Sequence, residues 1–302
     1  MIWRKLGRIF VPAGNYPWAQ SHASVPIAEH ITEDRFRIYY TSRDVENRSH
    51  VSWYEMDLNN PAEVLEEATQ PVLAPGKLGS FDMDGVMAST LVQHGNESRL
   101  YYIGWNRSVG VPFRNAIGLA IRETINGTFK RVSDGPVLDR GLTDPYFLAS
   151  HDVLIDEASW HMWYLSGLDW LPSNPPASTY NLRYALSEDG IVWQRHGLVA
   201  IRFAHRNEIA IARPTVIRDG CLWRMWFCYR GTDFPYQIGY AESEDAVEWM
   251  RQDAKAGISA SETGWDSEMI CYPHVFDHGG RRYMLYNGNG FGASGIGLAI
   301  LE

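Results

Sequence analysis

Four carboxylates recur at one place in a repeated sequence pattern. Asp84, Asp144, Glu208 and Glu268 each stand a few residues before a short run of small or polar residues that ends in Val. Asp82 and Asp266 lie close beside two of them. Acids gathered in one pocket repel, so some hold their protons to higher pH, as general acid catalysis requires. Glycosyl transfer uses such a pair, one acid and one base or nucleophile. Acids at strand starts also serve as turn residues that accept backbone N–H groups, so both readings stand at this point. Basic and amide residues fall nearby. Arg213, His274, His22 and His151 lie inside the repeated runs, Tyr272 and His274 within "SEMICYPHV" (267–275). Arg43, Arg107 and Arg230 close the runs that follow, and Asn287 and Asn289 take the matching place in "NGNG". Three arginines at one mouth suit a phosphate, a sugar carboxylate or a nucleotide, although an Arg at a strand exit also pairs with neighbouring acids. A histidine there can ligate a metal, order a water or be structural. Trp105, Trp170 and Trp265 lie near loop ends and suit stacking on a sugar ring, whereas Trp163, Trp193, Trp226 and Trp249 recur and read as core.

The elements that must position these groups repeat as well. "SHASV", "ASTLV", "ASHDV", "ARPTV" and "CYPHV" end at Val25, Val92, Val153, Val216 and Val275, so successive gaps are 67, 61, 63 and 59 residues. Each run is followed by an aromatic, β-branched one, such as "FRIYYTSR" (36–43) or "WRMWFCYRG" (223–231), and by a third, such as "AIGLAI" (116–121) or "GIGLAIL" (295–301). "SEDGIVW" (187–193) and "SEDAVEW" (243–249) then read as a polar turn entering a fourth strand, and "ETINGTF" (123–129) does so less cleanly. Five units of four strands predict an all-β five-bladed β-propeller, a single domain over 1–302. The last unit ends after its third strand. The opening "IWRKLG" (2–7) matches "WQRHG" and "WMRQD", which predicts that the N-terminal strand completes the last blade and hides two edges. The Pro-rich "LDWLPSNPPAS" (168–178) reads as a rim loop.

Bulk properties narrow the classes. A chain of 302 residues buries a core easily. Its net charge of −9 argues against a nucleic-acid backbone as partner. Three cysteines, Cys221, Cys228 and Cys271, suggest neither a disulfide framework nor a zinc knuckle. No signal-peptide h-region and no membrane-spanning stretch is read, so the expected location is cytoplasmic. No cofactor is implied, a channel metal ion is left open, and the oligomeric state is not given.

The repeat and its acids together resemble the five-bladed propeller glycosidases: the arabinanase and β-xylosidase family, the invertase and levansucrase family, and the β-mannoside phosphorylases. "GKLGSFDMDGV" (76–86), "GWNR" (104–107), "TDPYF" (143–147), "IARPTV" (211–216), "GWDSEMICYPHVFDHGGRRYMLYNGNGFG" (264–292) and the start "MIWRKLGRIF" are similar to a group of bacterial glycosidase-like proteins associated with surface-polysaccharide synthesis. The resemblance implies Asp144, in a DP-type motif, as one acid and Glu208 or Glu268 as the general acid. It departs at "NYPWAQSHASV", where the first-blade acid of those families is absent. The phosphorylases need one acid only, since phosphate held by basic residues is the nucleophile. The expectation is a carbohydrate-active enzyme acting at an anomeric carbon, with Asp84, Asp144, Glu208 and Glu268 as catalytic acids. His22, Arg43, Trp105, Arg107, Arg213, Arg230, Tyr272, His274 and Asn287 are its expected substrate contacts. The alternatives are a phosphorylase or glycosyltransferase with a phosphate-bearing ligand, and a non-catalytic carbohydrate-binding propeller.

Overall fold

The structure is a computed structural model that describes all 302 residues. The aromatic and β-branched runs form strands, and helical structure is confined to two three-residue 3-10 turns. The first unit contains β2 (Ser21–Thr32), β3 (Arg35–Arg43), β4 (Ser49–Asp57) and β5 (Glu66–Glu67), after an initial β1 (Trp3–Phe10). The second contains β6 (Gly85–His94), β7 (Glu97–Arg107), β8 (Phe113–Arg122) and β9 (Lys130–Arg131). The third contains β10 (Leu148–Asp156), β11 (Ser159–Leu171), β12 (Ala177–Ser187) and β13 (Trp193–Ile201). The fourth contains β14 (Glu208–Asp219), β15 (Leu222–Gly231), β16 (Gln237–Ser243) and β17 (Met250–Arg251). β18 (Cys271–His278), β19 (Arg281–Asn287) and β20 (Ile296–Leu301) end the chain. Within every unit consecutive strands pair antiparallel. β1 pairs with β20, Trp3 opposite Leu301 and Phe10 opposite Ile296, so the two ends of the chain share one sheet as expected.

The first strands of the units lie side by side. β6 neighbours β2 and β10, β14 neighbours β10 and β18, and β18 returns to β2. Each breaks register at the repeated motif: between Ser21 and Ser24, Ala88 and Thr90, Leu148 and His151, Ala212 and Thr215, and Cys271 and His274. These are bulges, which bend a strand and release a backbone group from the ladder. Small and polar residues recur there because the released N–H groups need acceptors from the next unit. Ala88 N–H donates to Thr41 Oγ1 (3.0 Å), His151 N–H to Ser89 Oγ (2.8 Å) and Arg213 N–H to Ser150 Oγ (2.9 Å). Val275 N–H donates to Thr215 Oγ1 (3.1 Å), and Val25 N–H to Asn287 Oδ1 (2.9 Å). Every junction between units is closed this way, including last to first.

Apolar packing follows the same junctions. Tyr39 and Val51 meet Val86 and Leu100; Tyr101 and Ile117 meet Trp160 and Met162; Trp163 and Leu182 meet Met225 and Phe227. Trp226 and Tyr240 meet Met284 and Tyr286, and Leu285 and Leu298 meet Ile38 and Tyr54. The second strands are therefore buried on both faces, which explains their continuous apolar character. Gly118 and Gly297 let the rings of Tyr102 and Tyr286 lie directly on the third strand, where a Cβ would collide.

The strands depart from expectation in two places. Residues 168–171 and 177–178 extend a long hairpin, leaving 172–176 as the loop, because Trp170 packs on Phe113 and Phe147 at 5.1 and 5.3 Å. The first unit's outermost strand, Glu66–Glu67, has no aromatic or β-branched signature and was not legible. Cys221, Cys228 and Cys271 are all free thiols, and no helix is long and apolar enough to cross a membrane.

Asn287 is fully buried and also donates to Ala23 and Gly295 carbonyls at 2.7 and 2.9 Å. Asn287→Ala is therefore expected to lower unfolding free energy by about 3 kcal/mol in urea titrations, since buried partners are left unpaired. A loss under about 0.5 kcal/mol would show that the junction between the last and first units does not depend on it.

Candidate functional site

The acids fall into two sets. Asp82 accepts from the Tyr102 hydroxyl (3.1 Å) and Arg131 Nε (2.8 Å). Asp144 accepts from the Tyr164 hydroxyl (3.2 Å), Ser166 (2.7 Å), Arg195 (3.1 Å) and Arg183 (3.3 Å). Asp266 accepts from the Tyr286 hydroxyl (3.1 Å) and Lys5 Nζ (2.6 Å). Glu208 accepts from Arg251 (2.7 Å) and from the backbone N–H of Ala204 (2.9 Å). Each acid is buried, and each ties the entry of a first strand to a base on the outermost strand of its unit. The first unit has glutamates on its outermost strand, so an acid at its entry would have no base to meet. This accounts physically for the acid missing there.

Asp144 and Glu208 thus sit in enclosed ion pairs. Asp84 and Glu268 stand two residues beyond Asp82 and Asp266; Asp84 is half-buried and Glu268 is exposed. Asp84 accepts the Arg107 backbone N–H at 2.8 Å, with the Arg107 guanidinium 3.8 Å away. Glu268 is exposed and lines a cavity of about 900 Å³ between the fourth and fifth units, together with Lys5 and Asp253.

A second cavity, about 480 Å³, opens where the bulged strands meet. Val25, Met87, Ala149, Ala212 and Tyr272 bring all five first strands to its floor and walls. Trp105, Phe113, Phe147, Tyr180 and Tyr236 add aromatic faces, and Arg43 and Arg107 add charge. No carboxylate lines it. Trp105 is fixed by donating to Ser49 Oγ at 2.6 Å, and the Tyr180 and Tyr236 hydroxyls lie 2.5 Å apart. Arg43 is half-buried, donates to Asn47 Oδ1 at 2.7 Å and has no carboxylate partner. Burial holds its guanidinium below the usual arginine range, and burial with the Arg43 charge pushes the nearby His22 imidazole down. Arg230 lies behind the tyrosine pair, 5.6 Å from the Tyr236 ring centre. Tyr272 adopts φ 53°, a strained setting for a bulky residue that the bulge imposes.

Beneath the cavity Arg213 is fully buried, also at positive φ (50°), and donates to the carbonyls of Pro214 (3.0 Å) and, across the ring, Pro26 (3.4 Å). Burial lowers it to about 10, partly offset by Asp152. His151 and His274 flank it with Nε2 atoms unpartnered. No group of three or more His, Cys, Asp or Glu side chains is placed to hold a metal ion. Of the expected contacts, the cavity gathers Arg43, Trp105, Arg107 and Tyr272, with His22 and Arg230 beside it. Arg213 and His274 lie below it, and Asn287 is a buried junction residue rather than a wall of the cavity. Trp265 packs on Tyr286 at 5.4 Å and Trp170 is held by phenylalanines, so neither presents a face to the cavity. Phe113, Tyr180 and Tyr236 were missed because they lie outside the repeated motif.

Two consequences are measurable. Asp144→Asn should cost about 3 kcal/mol of stability, by breaking a buried ion pair, without changing ligand affinity at the cavity. An affinity change with unaltered stability would return Asp144 to the site. Burial holds His151 neutral down to about pH 3, while the unfolded chain takes the proton near pH 6.5. Stability should thus fall as pH drops below about 6.5, by about 1.4 kcal/mol per pH unit from this group. His151→Gln should flatten the urea-midpoint profile between pH 6.5 and 4.5 by that slope, and parallel profiles would contradict the assignment.

No family model matches the chain. Over its full length it is 43% identical to the uncharacterized protein Rv1502 of Mycobacterium tuberculosis, and the match covers 100% of both proteins. The solved structure of a glycosyl hydrolase from Bacteroides ovatus superposes with a TM-score of 0.72 at 13% identity, over 98% of this chain and 92% of that protein. A thermostable family-43 glycoside hydrolase gives a TM-score of 0.69 at 17% identity, over 92% of this chain and 88% of its own. At these identities the solved structures speak to the fold alone. The chain shares the fold of these glycoside hydrolases and belongs to the same family as the mycobacterial protein.

Proposed function

We propose that the five units are the four-stranded blades of a five-bladed propeller, and that the cavity at its mouth takes a carbohydrate on which the protein acts at the anomeric carbon. One observation carries this reading: an aromatic-walled cavity lies where the bulged strands converge, in a fold shared with glycosidases. Trp105, Phe113, Tyr180 and Tyr236 supply the apolar faces on which sugar rings stack. The carboxylate supply favours one reaction class over another. Hydrolysis by paired carboxylates needs two acids roughly 5–10 Å apart across the scissile bond. Asp84 is the single acid of the expected four that touches a cavity residue, through Arg107. Displacement by a nucleophile that belongs to a second ligand, phosphate or a sugar acceptor, needs only one. With phosphate, its anionic oxygen bonds to the anomeric carbon as the glycosidic C–O bond breaks and Asp84 gives its proton to the leaving oxygen; with a sugar acceptor and a phosphate leaving group, Asp84 instead takes the proton of the attacking hydroxyl.

A non-catalytic carbohydrate-binding propeller is the second reading, favoured by the engagement of Asp84 with the Arg107 backbone. The two are separated by measuring binding and turnover together on sugars, sugar phosphates and nucleotide sugars. Trp105→Ala should weaken binding roughly tenfold. Asp84→Asn should keep binding and lose turnover. Full turnover in Asp84→Asn would remove it from the chemistry, and unchanged binding in Trp105→Ala would remove the cavity. Binding without turnover by the unaltered protein would favour the second reading.

A further inference from the structure

We infer that the carbohydrate carries an anionic group, phosphate or carboxylate, seated between Arg43 and Arg107. The inference rests on the reading of the cavity as a carbohydrate site and adds the class of sugar. The chain has 36 acidic and 27 basic residues, and several of its enclosed arginines are matched to acids: Arg37 to Glu55, Arg122 to Glu29, Arg131 to Asp82, Arg251 to Glu208. Arg43, Arg213 and Arg230 have no carboxylate partner, and of the three Arg43 is the one that lines the cavity. It is half-buried in the cavity wall with one amide oxygen as its side-chain partner. A guanidinium withdrawn from water gains from an oxyanion that supplies paired acceptors.

The seat is built before any ligand arrives. The turn after β3 holds both arginines. Asn47 accepts from Arg43 at 2.7 Å, and the Glu46 carbonyl accepts from Arg107 at 2.6 Å. Asp44 locks that turn by accepting the backbone N–H groups of Glu46 and Arg48, both at 2.9 Å. Two cations fixed by one turn, Arg43 without an acid and Arg107 with Asp84 3.8 Å away, stand at a cavity that no carboxylate lines and lower the ordering cost of binding an anion. Tyr272 stands beside Arg43 on the same wall, and its hydroxyl has no protein partner.

The test compares neutral glucose, mannose and galactose with their 1-phosphates, the matching uronates and inorganic phosphate. Titration calorimetry on the full chain would cover the unaltered protein, Arg43→Met and Arg107→Met, each first shown to melt cooperatively. The charged sugars should bind about tenfold or more tightly than their neutral parents. Arg43→Met should erase that preference, bringing charged sugars to the affinity of their neutral parents measured on the same variant. If Arg43→Met does not fold, Arg107→Met carries the same comparison. Preference for phosphates over uronates, or the reverse, identifies the oxyanion. Equal binding of neutral and charged sugars, or a preference that survives both substitutions, overturns the inference and leaves the carbohydrate reading standing. Failure of every sugar to bind contradicts that reading and the inference with it.

Discussion

A bulge in each first strand frees a backbone N–H, and a side chain of the adjoining unit has to accept it. Thr41, Ser89, Ser150, Thr215 and Asn287 are those acceptors. An unpaired N–H buried at the centre of a ring would cost a large share of the net stability of a domain, so these contacts set the register of every unit against the next. They also set the cavity. The bends that release the N–H groups turn Tyr272 and Arg213 into left-handed backbone settings, one facing the mouth and one plugging the axis below it. β1 pairs with β20, so the chain's own start supplies the outermost strand of the last unit and covers the edge of β20.

Much of this was legible in the sequence. The five motifs, their Val anchors and the match between the opening "IWRKLG" and later outermost strands are direct consequences of a repeated unit, and β1 does pair with β20. The acids were legible as a repeat but not as a role. A carboxylate at a strand entry looks the same whether it faces solvent or an arginine brought in from the outermost strand. The deciding partners are Arg131, Arg195, Arg251 and Lys5, and the last three hold the same W-x-basic position in the matching runs "WQRHG", "WMRQD" and "IWRKLG", a signal that pairs with the acids only once the strands are placed. The mouth was partly legible. Arg43, Trp105 and Arg107 end second strands and repeat with the unit, whereas Phe113, Tyr180 and Tyr236 come from segments whose positions depend on tertiary packing.

The two sets of acids change how the molecule is understood. Four carboxylates, Asp82, Asp144, Glu208 and Asp266, are paired with bases on the outermost strands. The mouth carries aromatic faces and arginines instead, in a chain that is acidic overall. Catalysis by paired carboxylates and recognition of an anionic sugar make opposite demands on the same few side chains, because neighbouring acids would neutralise the arginines.

The most direct measurement of this account is the location of bound sugar, by crystallography of the protein soaked with a sugar phosphate. The account predicts a ring lying against Trp105 and Tyr236, with its oxyanion at Arg43. Sugar bound instead in the larger cavity beside Glu268, Lys5 and Asp253, with the central cavity empty, would contradict it.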